Sequence, residues 1–558
     1  MEANSLKNFG NTLLGNALLH LFFSKTLAVI LIANLFIISF CNALGTPVVY
    51  LRFVYPASIC AAYWLISKTW VKRSDLAVSW GMVGWIAVFW FLITLLRIPY
   101  VLEWIPGNTV IVQWDDMQRL SGLISMTMSD EFPLKHFANQ KYFYSYYYAS
   151  MIPLAYLKLV LPFITLKDAL CVGNSVYYIL ILLSFLEVLN ILCPKRETLW
   201  AMIFLFTAFG GFDWLVDSAI SGNRLISHHE WWQRMNILHG DAQISSFFTV
   251  MFWAMPHMLG FYACLLAYIF LSKVRFAHKT TKSLVVGLLL ISGFYCSVFS
   301  ILSVPLYAIV EYKMVTKRFL NIRVLPVLLV ILLLPIQLFL NKPSSIGFIP
   351  ASFRLDFTGD FLLDKLFSLP FWFIIVSLVE FSFIPILLVM VFDKITLKEK
   401  KYYIAAMIFY VSTYFVSFTN FNNYSNRGMI LPTFIFYFLF SKYVLSFKFI
   451  RNIWLSPFRR VTVLMPLLAL LSIGTIIEYS AQGIMSMSCM SIACNYFGLN
   501  PCYHSSIDYR KTARDTSSKY LVRPYYDNSM DIYNAEKMVL DTPLEKMYYA
   551  ELEQLRFK

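Results

Sequence analysis

The sequence predicts an all-α polytopic membrane protein, and three observations support this class. Of its 558 residues, 59% are hydrophobic and only 14% are charged, whereas soluble globular chains average about 45–50% apolar and about 25% charged residues. Apolar runs of about 18 residues or more recur along the chain, and each is long enough for one helical crossing. The net charge of +15 lies in short basic clusters between these runs, which indicates topology signals rather than nucleic-acid binding.

The apolar runs divide the chain into a series of predicted crossings. No cleavable signal peptide is evident, because the first run, Leu27 to Leu44, lacks a clear small-residue cleavage site. A short hairpin is predicted over residues 284–310, and the count is about 13 within a range of about 11–14 transmembrane helices. The other predicted spans are 26–44, 48–66, 76–97, 168–191, 199–215, 247–271, 324–341, 366–392, 402–418, 428–446 and 461–478.

The basic clusters orient these spans. Lys72, Arg73 and the run from Lys273 to Lys279 mark cytoplasmic loops. We therefore expect a multi-pass protein of the inner (plasma) membrane, with a cytoplasmic N-terminus and an extracytoplasmic C-terminus. The tyrosine-rich stretch Tyr142–Pro162 then begins and ends outside, which predicts an interfacial or re-entrant segment.

Two regions follow from this orientation. Residues 1–478 form the predicted transmembrane domain, and residues 479–558 form a small extracytoplasmic C-terminal region. This tail contains Cys489, Cys494 and Cys502, which allow at most one internal disulfide and leave one thiol over. The other six cysteines lie in or beside apolar segments and are predicted to be core residues.

Four polar clusters share the predicted outer face, whereas the cytoplasmic loops contain little besides lysine and arginine. They are Asp115 with Asp116, loop 213–243, segment 253–257 and loop 419–427. Charged residues in or near a bilayer cost free energy unless they are solvated, paired or functional. This one-sidedness is the strongest functional signal in the sequence.

Asp115 and Asp116 have two interpretations that are compatible with each other. One carboxylate caps a predicted amphipathic surface helix over Met117–Met128. The other accepts a proton from a hydroxyl nucleophile, or holds a metal ion. Because adjacent carboxylates repel, we expect one of the two to have a raised pKa suited to general-base work.

The later clusters are less specific. The loop around Glu230 and Trp231 is either a solvated interfacial loop or a sugar-binding surface, and it contains no HExxH metal motif. Asp116 and Glu230 are weak candidate ligands for a divalent cation such as Mg²⁺ or Mn²⁺. His257 is either a hydrogen-bonded structural residue or a catalyst, and Arg427 is either an interfacial anchor or a phosphate ligand.

Three short segments, Tyr144–Tyr148, Trp253–His257 and Asn422–Pro432, join the acidic motif in a layout that resembles a known superfamily. Together they resemble the type C (GT-C) membrane glycosyltransferases, which use polyprenyl-phosphate- or polyprenyl-diphosphate-linked sugars. The resemblance covers roughly residues 76–450 and implies a GT-C-like helical bundle with outer-face amphipathic helices.

The resemblance also implies roles for individual residues. Asp115 or Asp116 would be the catalytic carboxylate in an inverting transfer, while Arg427, with His257 as a further contact, would bind the donor phosphate. The implied partners are a polyprenyl-phosphate-linked sugar donor, a glycan or lipid-glycan acceptor of the cell envelope, and membrane lipid, with no nucleic acid. The candidate substrate-binding residues are Trp114, Tyr146, Tyr147, Glu230, Trp231 and Asn423.

Two alternative functions stay open at this point. A transporter or flippase for a lipid-linked glycan would have charged or broken helices near the bilayer midplane and polar groups on both faces. A non-enzymatic envelope assembly protein would use the aspartate pair only as a helix cap.

Overall fold

A computed structural model describes most of the predicted helical part of the chain. The described residues are 12–71, 77–95, 111–112, 122–123, 126–127, 129–136, 139–143, 148–164, 166–193, 195–210, 212, 244–341, 353–355, 359–418, 427–444, 472–473, 476 and 507–508.

The described part is mostly helical, with long apolar helices separated by short turns. The α-helices are Leu13–Leu19 (α1), Phe22–Phe36 (α2), Asn42–Leu44 (α3), Leu51–Ser67 (α4), Trp80–Leu95 (α5), Ile152–Val160 (α6), Leu166–Leu192 (α7), Arg196–Thr207 (α8), Phe247–Trp253 (α9), Met255–Ser272 (α10), Lys279–Cys296 (α11), Val298–Ile301 (α12), Val304–Val310 (α13), Tyr312–Met314 (α14), Leu325–Asn341 (α15), Gly359–Val379 (α16), Ile384–Met390 (α17), Leu397–Phe415 (α18) and Ile430–Leu439 (α19).

Irregular helical turns and short strands complete the described elements. The π-helical turns are Ile37–Cys41, Val315–Phe319 and Phe440–Val444, and the 3₁₀ turns are Val48–Tyr50, Tyr148–Met151 and Phe392–Lys394. The strands are Trp70–Val71 (β1), Ile111–Val112 (β2), Lys135–His136 (β3), Asn139–Phe143 (β4), Val274–Arg275 (β5), Phe353–Leu355 (β6), Val416–Phe418 (β7) and Ile507–Asp508 (β8). They form four antiparallel pairs: β1–β5, β2–β8, β3–β4 and β6–β7.

Several helices have the length and composition of membrane crossings. Within the part of the chain that the structure describes, four qualify as single helices: Phe22–Leu44, Val48–Ser67, Ala169–Leu192 and Met255–Ser272. Two bent helix pairs, Val298–Val310 with Tyr312–Phe319 and Ser368–Val379 with Ile384–Met390, raise the number to six if each is one crossing. The prediction of a helical membrane protein is confirmed at this coarser level.

Two predicted spans are broken in the structure. The span predicted over 366–392 bends by 108° between α16 and α17, because Ser382 and Phe383 adopt left-handed backbone conformations (φ 46° and 65°). The span predicted over 247–271 is interrupted at Ala254, where α9 ends and α10 begins. These two predicted spans are therefore not continuous helices.

The tyrosine-rich stretch contains no helix long enough to cross a membrane in its described part. It contains the end of β4, the turn Tyr148–Met151 and the nine-residue helix α6, which is only about 14 Å long at 1.5 Å per residue. This agrees with an interfacial or re-entrant segment. Of the predicted surface helix over Met117–Met128, residues 122–123 and 126–127 are helical, with Leu123 and Met126 buried, and the rest lies outside the described residues.

One end of the helices is rich in lysine and arginine, and we call it the basic end. Its members are joined by β1–β5 pairing, by Lys25 Nζ donating to the Thr69 carbonyl at 2.9 Å, and by Lys282 Nζ donating to the Val274 carbonyl at 3.1 Å. These contacts place the start of α2, the end of α4, the end of α10 and the start of α11 in one layer.

A buried carboxylate completes the start of α2 near the basic end. The residue before α2, Leu21, is left-handed and supplies no capping side chain. Glu187 of α7 accepts the Phe23 and Ser24 amides instead, at 2.9 and 2.6 Å. Unpaired amides at a helix start are costly inside a bilayer, which gives this acid a structural role.

The opposite end of the same helices is called the far end. The chain between α3 and α4 pairs there with residues 130–132: Val48 N donates to the Asp130 carbonyl at 3.0 Å, and Phe132 N donates to the Thr46 carbonyl at 2.9 Å. Since α10 ends and α11 begins at the basic end, Met255 and Cys296 lie at the far end.

The described cysteines follow the core prediction in part. Cys41, Cys193, Cys264 and Cys296 are buried, whereas Cys171 is half-buried and Cys60 is exposed. Cys60 lies on α4, a helix that exposes large apolar side chains such as Tyr63 and Trp64, so its exposed side faces lipid if α4 crosses the membrane. The tail cysteines Cys489, Cys494 and Cys502 lie outside the described residues.

Candidate functional site

His257 lies at the far end because of a helix break. Helix α9 ends at Trp253, Ala254 leaves the helical conformation (φ −130°, ψ 48°), and Pro256 occupies the first turn of α10. Proline is tolerated there because its missing N–H has no intrahelical partner at a helix start. His257 follows directly and is buried, with 1% of its surface exposed.

Two serines from the next chain reversal hold His257. The His257 Nδ1 atom hydrogen-bonds the Ser297 hydroxyl, and the Ser300 hydroxyl donates to the His257 carbonyl at 2.8 Å. Ser297 interrupts the helix with an extended backbone and caps α12, accepting the Ser300 amide at 3.2 Å. A serine hydroxyl can donate to Nδ1 or accept from it, so this contact fixes the position of the ring and is compatible with either neutral tautomer.

Two glycines allow this arrangement. A Cβ atom on Gly260 would lie 3.1 Å from the Cβ atoms of Ser297 and Ser300 and 3.2 Å from the Gly293 carbonyl. A Cβ atom on Gly293 would in turn lie 3.2 Å from the Gly260 carbonyl. Small residues let membrane helices approach closely, and here they bring α10 against the end of α11 and the serine turn.

A third glycine brings the Arg427 segment to the same turn. A Cβ atom on Gly428 would lie 3.7 Å from the Phe299 carbonyl and 2.8 Å from Cζ of the Phe409 ring. A Cβ contact of 2.8 Å is too short to occur without a shift of the neighbouring atoms. Arg427 precedes this glycine, so its backbone lies beside α12, the helix that Ser297 caps. The two predicted phosphate contacts, His257 and Arg427, are thus joined through one short helix.

Arg427 is partly buried. Among the contacts of the described residues, its guanidinium makes no hydrogen bond and no ion pair. A partly buried guanidinium presents donors in a fixed fork that matches phosphate oxygens. Exposed Arg52 at the start of α4 lies at the same end but needs no such partner, since water solvates it.

Other far-end elements lie near this turn or at the same level. The turn Tyr148–Met151 contacts α10, α11 and α2, which puts the end of the tyrosine-rich segment beside the helices that hold His257 and Ser297. Strand β6 pairs with β7, with Arg354 opposite Ser417, and closes the far end of α18.

Most predicted site residues fall outside the described residues. These are Trp114, Asp115, Asp116, Tyr146, Tyr147, Glu230, Trp231 and Asn423. The nearest described neighbours of the aspartates are Ile111 and Val112, which pair with Asp508 and Ile507. The strand that leads toward the aspartate pair therefore contacts the C-terminal region.

A metal site was a weak prediction, and its two candidate ligands, Asp116 and Glu230, are among those residues. Within the ranges that the structure describes, no group of three or more His, Cys, Asp or Glu side chains could hold a metal ion. Divalent metal use therefore stays a prediction.

A second polar feature, missed by the sequence reasoning, lies at the 108° bend. Glu380 is 7% exposed and follows Val379, whose carbonyl accepts the Phe212 amide at 2.6 Å. Tyr410 lies beside this carboxylate and within 3.3 Å of the Ser377 hydroxyl. A single acid in a long apolar run was the available sequence signal.

The comparisons with known proteins add no further assignment. The chain matches no protein-family model, no curated protein and no solved structure.

Proposed function

We propose that this protein is a GT-C-like membrane glycosyltransferase. It moves a sugar from a polyprenyl-phosphate-linked donor to a cell-envelope glycan, such as a lipopolysaccharide or other polysaccharide, at the extracytoplasmic face. In this proposal the far end is extracytoplasmic, the basic end is cytoplasmic, and the helices complete about 11–14 crossings of the inner membrane.

The observation that carries the proposal is the partly buried Arg427 beside the His257–Ser297 turn. A lipid-linked donor approaches laterally within the membrane and presents its phosphate at the boundary, where a guanidinium that no described residue pairs with favours an anion. His257 is buried and bonded to Ser297, and it supports this subsite by holding the turn beside which the Arg427 backbone lies.

The chemistry assigns the remaining roles. Asp115 or Asp116 takes the proton of the acceptor hydroxyl while its oxygen forms a bond to the anomeric carbon. The bond between that carbon and the phosphate oxygen breaks, and the lipid phosphate leaves with the electron pair, held by Arg427. Attack opposite the leaving group inverts the anomeric configuration. Trp114, Tyr146, Tyr147, Glu230, Trp231 and Asn423 bind the sugars.

The test is the glycan composition of a strain that lacks the protein and is complemented with single variants. Asp115→Asn or Asp116→Asn, at membrane abundance equal to the wild type, is expected to abolish addition of one specific sugar. The other variant of the pair is expected to retain it. Full restoration of the glycan by both variants would remove the catalytic assignment of this loop.

One observation favours a second candidate, a transporter for a lipid-linked glycan. The bend at Ser382 and Phe383, with buried Glu380 beside it, is a broken helix of the kind that lines transport pathways. The two functions differ in a liposome assay with purified protein, labelled lipid-linked sugar and acceptor. A transferase moves label onto the acceptor without changing the leaflet of the lipid, whereas a transporter changes the leaflet and leaves the sugar on the lipid.

A further inference from the structure

Residues 311–323 form a basic segment, called here the bent segment, that sugar transfer does not explain. Helices Val298–Val310 and Tyr312–Phe319 meet at 84°. If the first runs across the membrane, the second runs along its surface. The 84° bend therefore gives this segment the direction of an interfacial helix. Interfacial helices place apolar side chains into lipid and basic side chains at the headgroups.

The bent segment is held against three other helices. Each anchor joins it to a different element of the basic end. Glu311 forms an ion pair with Lys398 and accepts a hydrogen bond from Tyr402, both on α18. Arg318 Nη1 donates to the Ser272 carbonyl of α10 at 3.2 Å. Asn321 Nδ2 donates to Thr280 Oγ1 of α11 at 3.2 Å. The segment therefore has a fixed position relative to these helices.

Large apolar side chains of the bent segment point away from the protein. Tyr312 is 67% exposed, Leu320 is 49% exposed and Ile322 is 85% exposed. Moving these apolar side chains from water into hydrocarbon is favourable in free energy. Lipid at the membrane interface would cover all three.

The same segment brings cations together without matching acids. Residues 272–282 and 311–323 each contain four lysines or arginines, and together they contain one acid, Glu311. Glu311 is already bound by Lys398 and Tyr402.

Two of these cations donate to backbone carbonyls that lie two residues apart, Arg318 to Ser272 and Lys282 to Val274. Lys282 donates to the Val274 carbonyl and lies over the Phe276 ring at 5.9 Å. Burial lowers its pKa, and the nearby charge of Arg318 lowers it further. In the described part of the chain neither cation forms an ion pair with a carboxylate. An anion between them would relieve this repulsion.

We propose that Lys282 and Arg318 bind the phosphate of an anionic phospholipid, with Tyr312 and Ile322 inserted into the same leaflet. Basic pockets between membrane helices recognise anionic headgroups in this way. The membrane orientation of a chain depends only on how many lysines and arginines its loops contain. A lipid site needs more, and here two cations are fixed beside an exposed apolar surface. The proposal is independent of sugar transfer and of the far end.

The test measures lipid binding to the full-length protein in detergent by native mass spectrometry. Phosphatidylglycerol is expected to bind the wild type more tightly than phosphatidylcholine. The double variant Lys282→Gln/Arg318→Gln is expected to lose about twenty-fivefold in phosphatidylglycerol affinity, since each cation contributes about fivefold. Lys400→Gln/Lys401→Gln removes the same charge from the start of α18 and is the matched control. Equal losses in both double variants, or no loss in the first, would overturn the site.

A second measurement needs no variant and covers the case in which the double variant does not fold. In nanodiscs, backbone amides of residues 312–319 are expected to exchange hydrogen more slowly with phosphatidylglycerol than with phosphatidylcholine. Equal exchange rates would contradict the proposal. Phosphatidylglycerol is expected to stay bound when inorganic phosphate is added in excess. Displacement of the lipid by phosphate would identify a free-phosphate site and overturn the lipid assignment.

Discussion

The two ends of the helices hold their charges in different ways. At the basic end the ionic groups contact protein atoms: Glu399 binds Lys442 at 2.6 Å, and Lys25 donates to a backbone carbonyl. At the far end Arg427 is partly buried, and the described residues supply no partner for it. A paired charge joins helices, whereas a partly buried charge without a protein partner is available to a ligand.

The two ends also differ in how closely their helices approach. The far end depends on glycines, and a single added carbon at Gly260 or Gly428 meets neighbouring atoms at 3.1 Å or less. The basic end depends on long side chains that reach backbone carbonyls, such as Lys25 and Lys282. Long side chains adjust to small displacements and glycine contacts do not, so we expect the far end to be the less tolerant of substitution.

The largest expected effect comes from Arg427→Gln, which removes the far-end charge while keeping a polar side chain. Losing a charged contact to a phosphate costs about 2–5 kcal/mol, so transfer activity should fall by about thirtyfold or more. Sugar transfer in membranes, normalised to protein amount, is the measurement.

The matched control is Arg52→Gln, which removes an exposed arginine from the same end. It is expected to keep nearly full activity. Equal losses in the two variants would mean that total charge at the far end matters and that Arg427 has no specific ligand.

The next largest effect is expected from Ser297→Ala. It leaves the buried His257 Nδ1 without its hydroxyl and removes the cap of α12. A buried polar group left unpaired costs about 1–3 kcal/mol, and a lost cap costs about 0.5–2 kcal/mol. Thermal unfolding in detergent should show a clear decrease in stability.

Ser283→Ala is the control for this variant. The Ser283 hydroxyl donates only to the Lys279 carbonyl of its own helix, at 3.0 Å. It should change stability by less than about 1 kcal/mol. If the two alanine variants unfold alike, the Ser297–His257 contact is not a major source of stability.

Gly260→Ala tests the close approach of α10 to the serine turn. The new methyl group would meet Ser297, Ser300 and a backbone carbonyl at 3.1–3.2 Å. Overpacking of this kind costs about 1–3 kcal/mol, reduced by the better helix propensity of alanine. The variant should unfold at a lower temperature than the wild type.

Gly84 provides the opposite case on a similarly apolar helix, since nothing lies within 4 Å of a Cβ atom there. Gly84→Ala is expected to be neutral or stabilising by up to about 1 kcal/mol. A stabilising Gly260→Ala would show that α10 and α11 can separate without cost.

The sequence predicted the helical class because that class depends on composition along the chain, whereas most of the predicted polar loops lie outside the described residues. Apolar length predicts a crossing, and lysine clusters such as Lys273–Lys279 predict a common end. The antiparallel order of α10 and α11 follows from these two rules. His257 was predicted to be either a hydrogen-bonded structural residue or a catalyst, and the structure shows it buried with a hydrogen bond to Ser297.

The sequence did not predict the features that depend on contacts between distant residues. The Ser297–His257 bond joins residues forty positions apart, and hydropathy carries no information about it. The bend after Glu380 was missed because Ser382 and Phe383 are not residues that favour positive φ. The link from Arg427 to α12 depends on Gly428, whose small size matters only once Phe409 lies against it.

The smallest expected effect concerns Glu399 at the basic end. Burial opposes its charge, but hydrogen bonds from Lys442, Thr396 and Tyr443 outweigh this and lower the pKa of the carboxyl group. A lowered pKa in the folded state stabilises the protein above the unfolded-state value of about 4.3, and this contribution is lost as pH falls through the folded-state value. Because the site is partly screened by solvent, we expect less than about 1 kcal/mol.

Glu399→Gln should therefore lower the unfolding temperature slightly at pH 7, and the difference from the wild type should disappear in acid below the folded-state pKa. Glu197→Gln changes an exposed acid at the start of α8 and should show no such difference at either pH. A Glu399→Gln effect that persists in acid would mean that side-chain packing, rather than the charge of this carboxylate, holds α18 against the Phe440–Val444 turn. In that case paired charges would not distinguish the basic end from the far end.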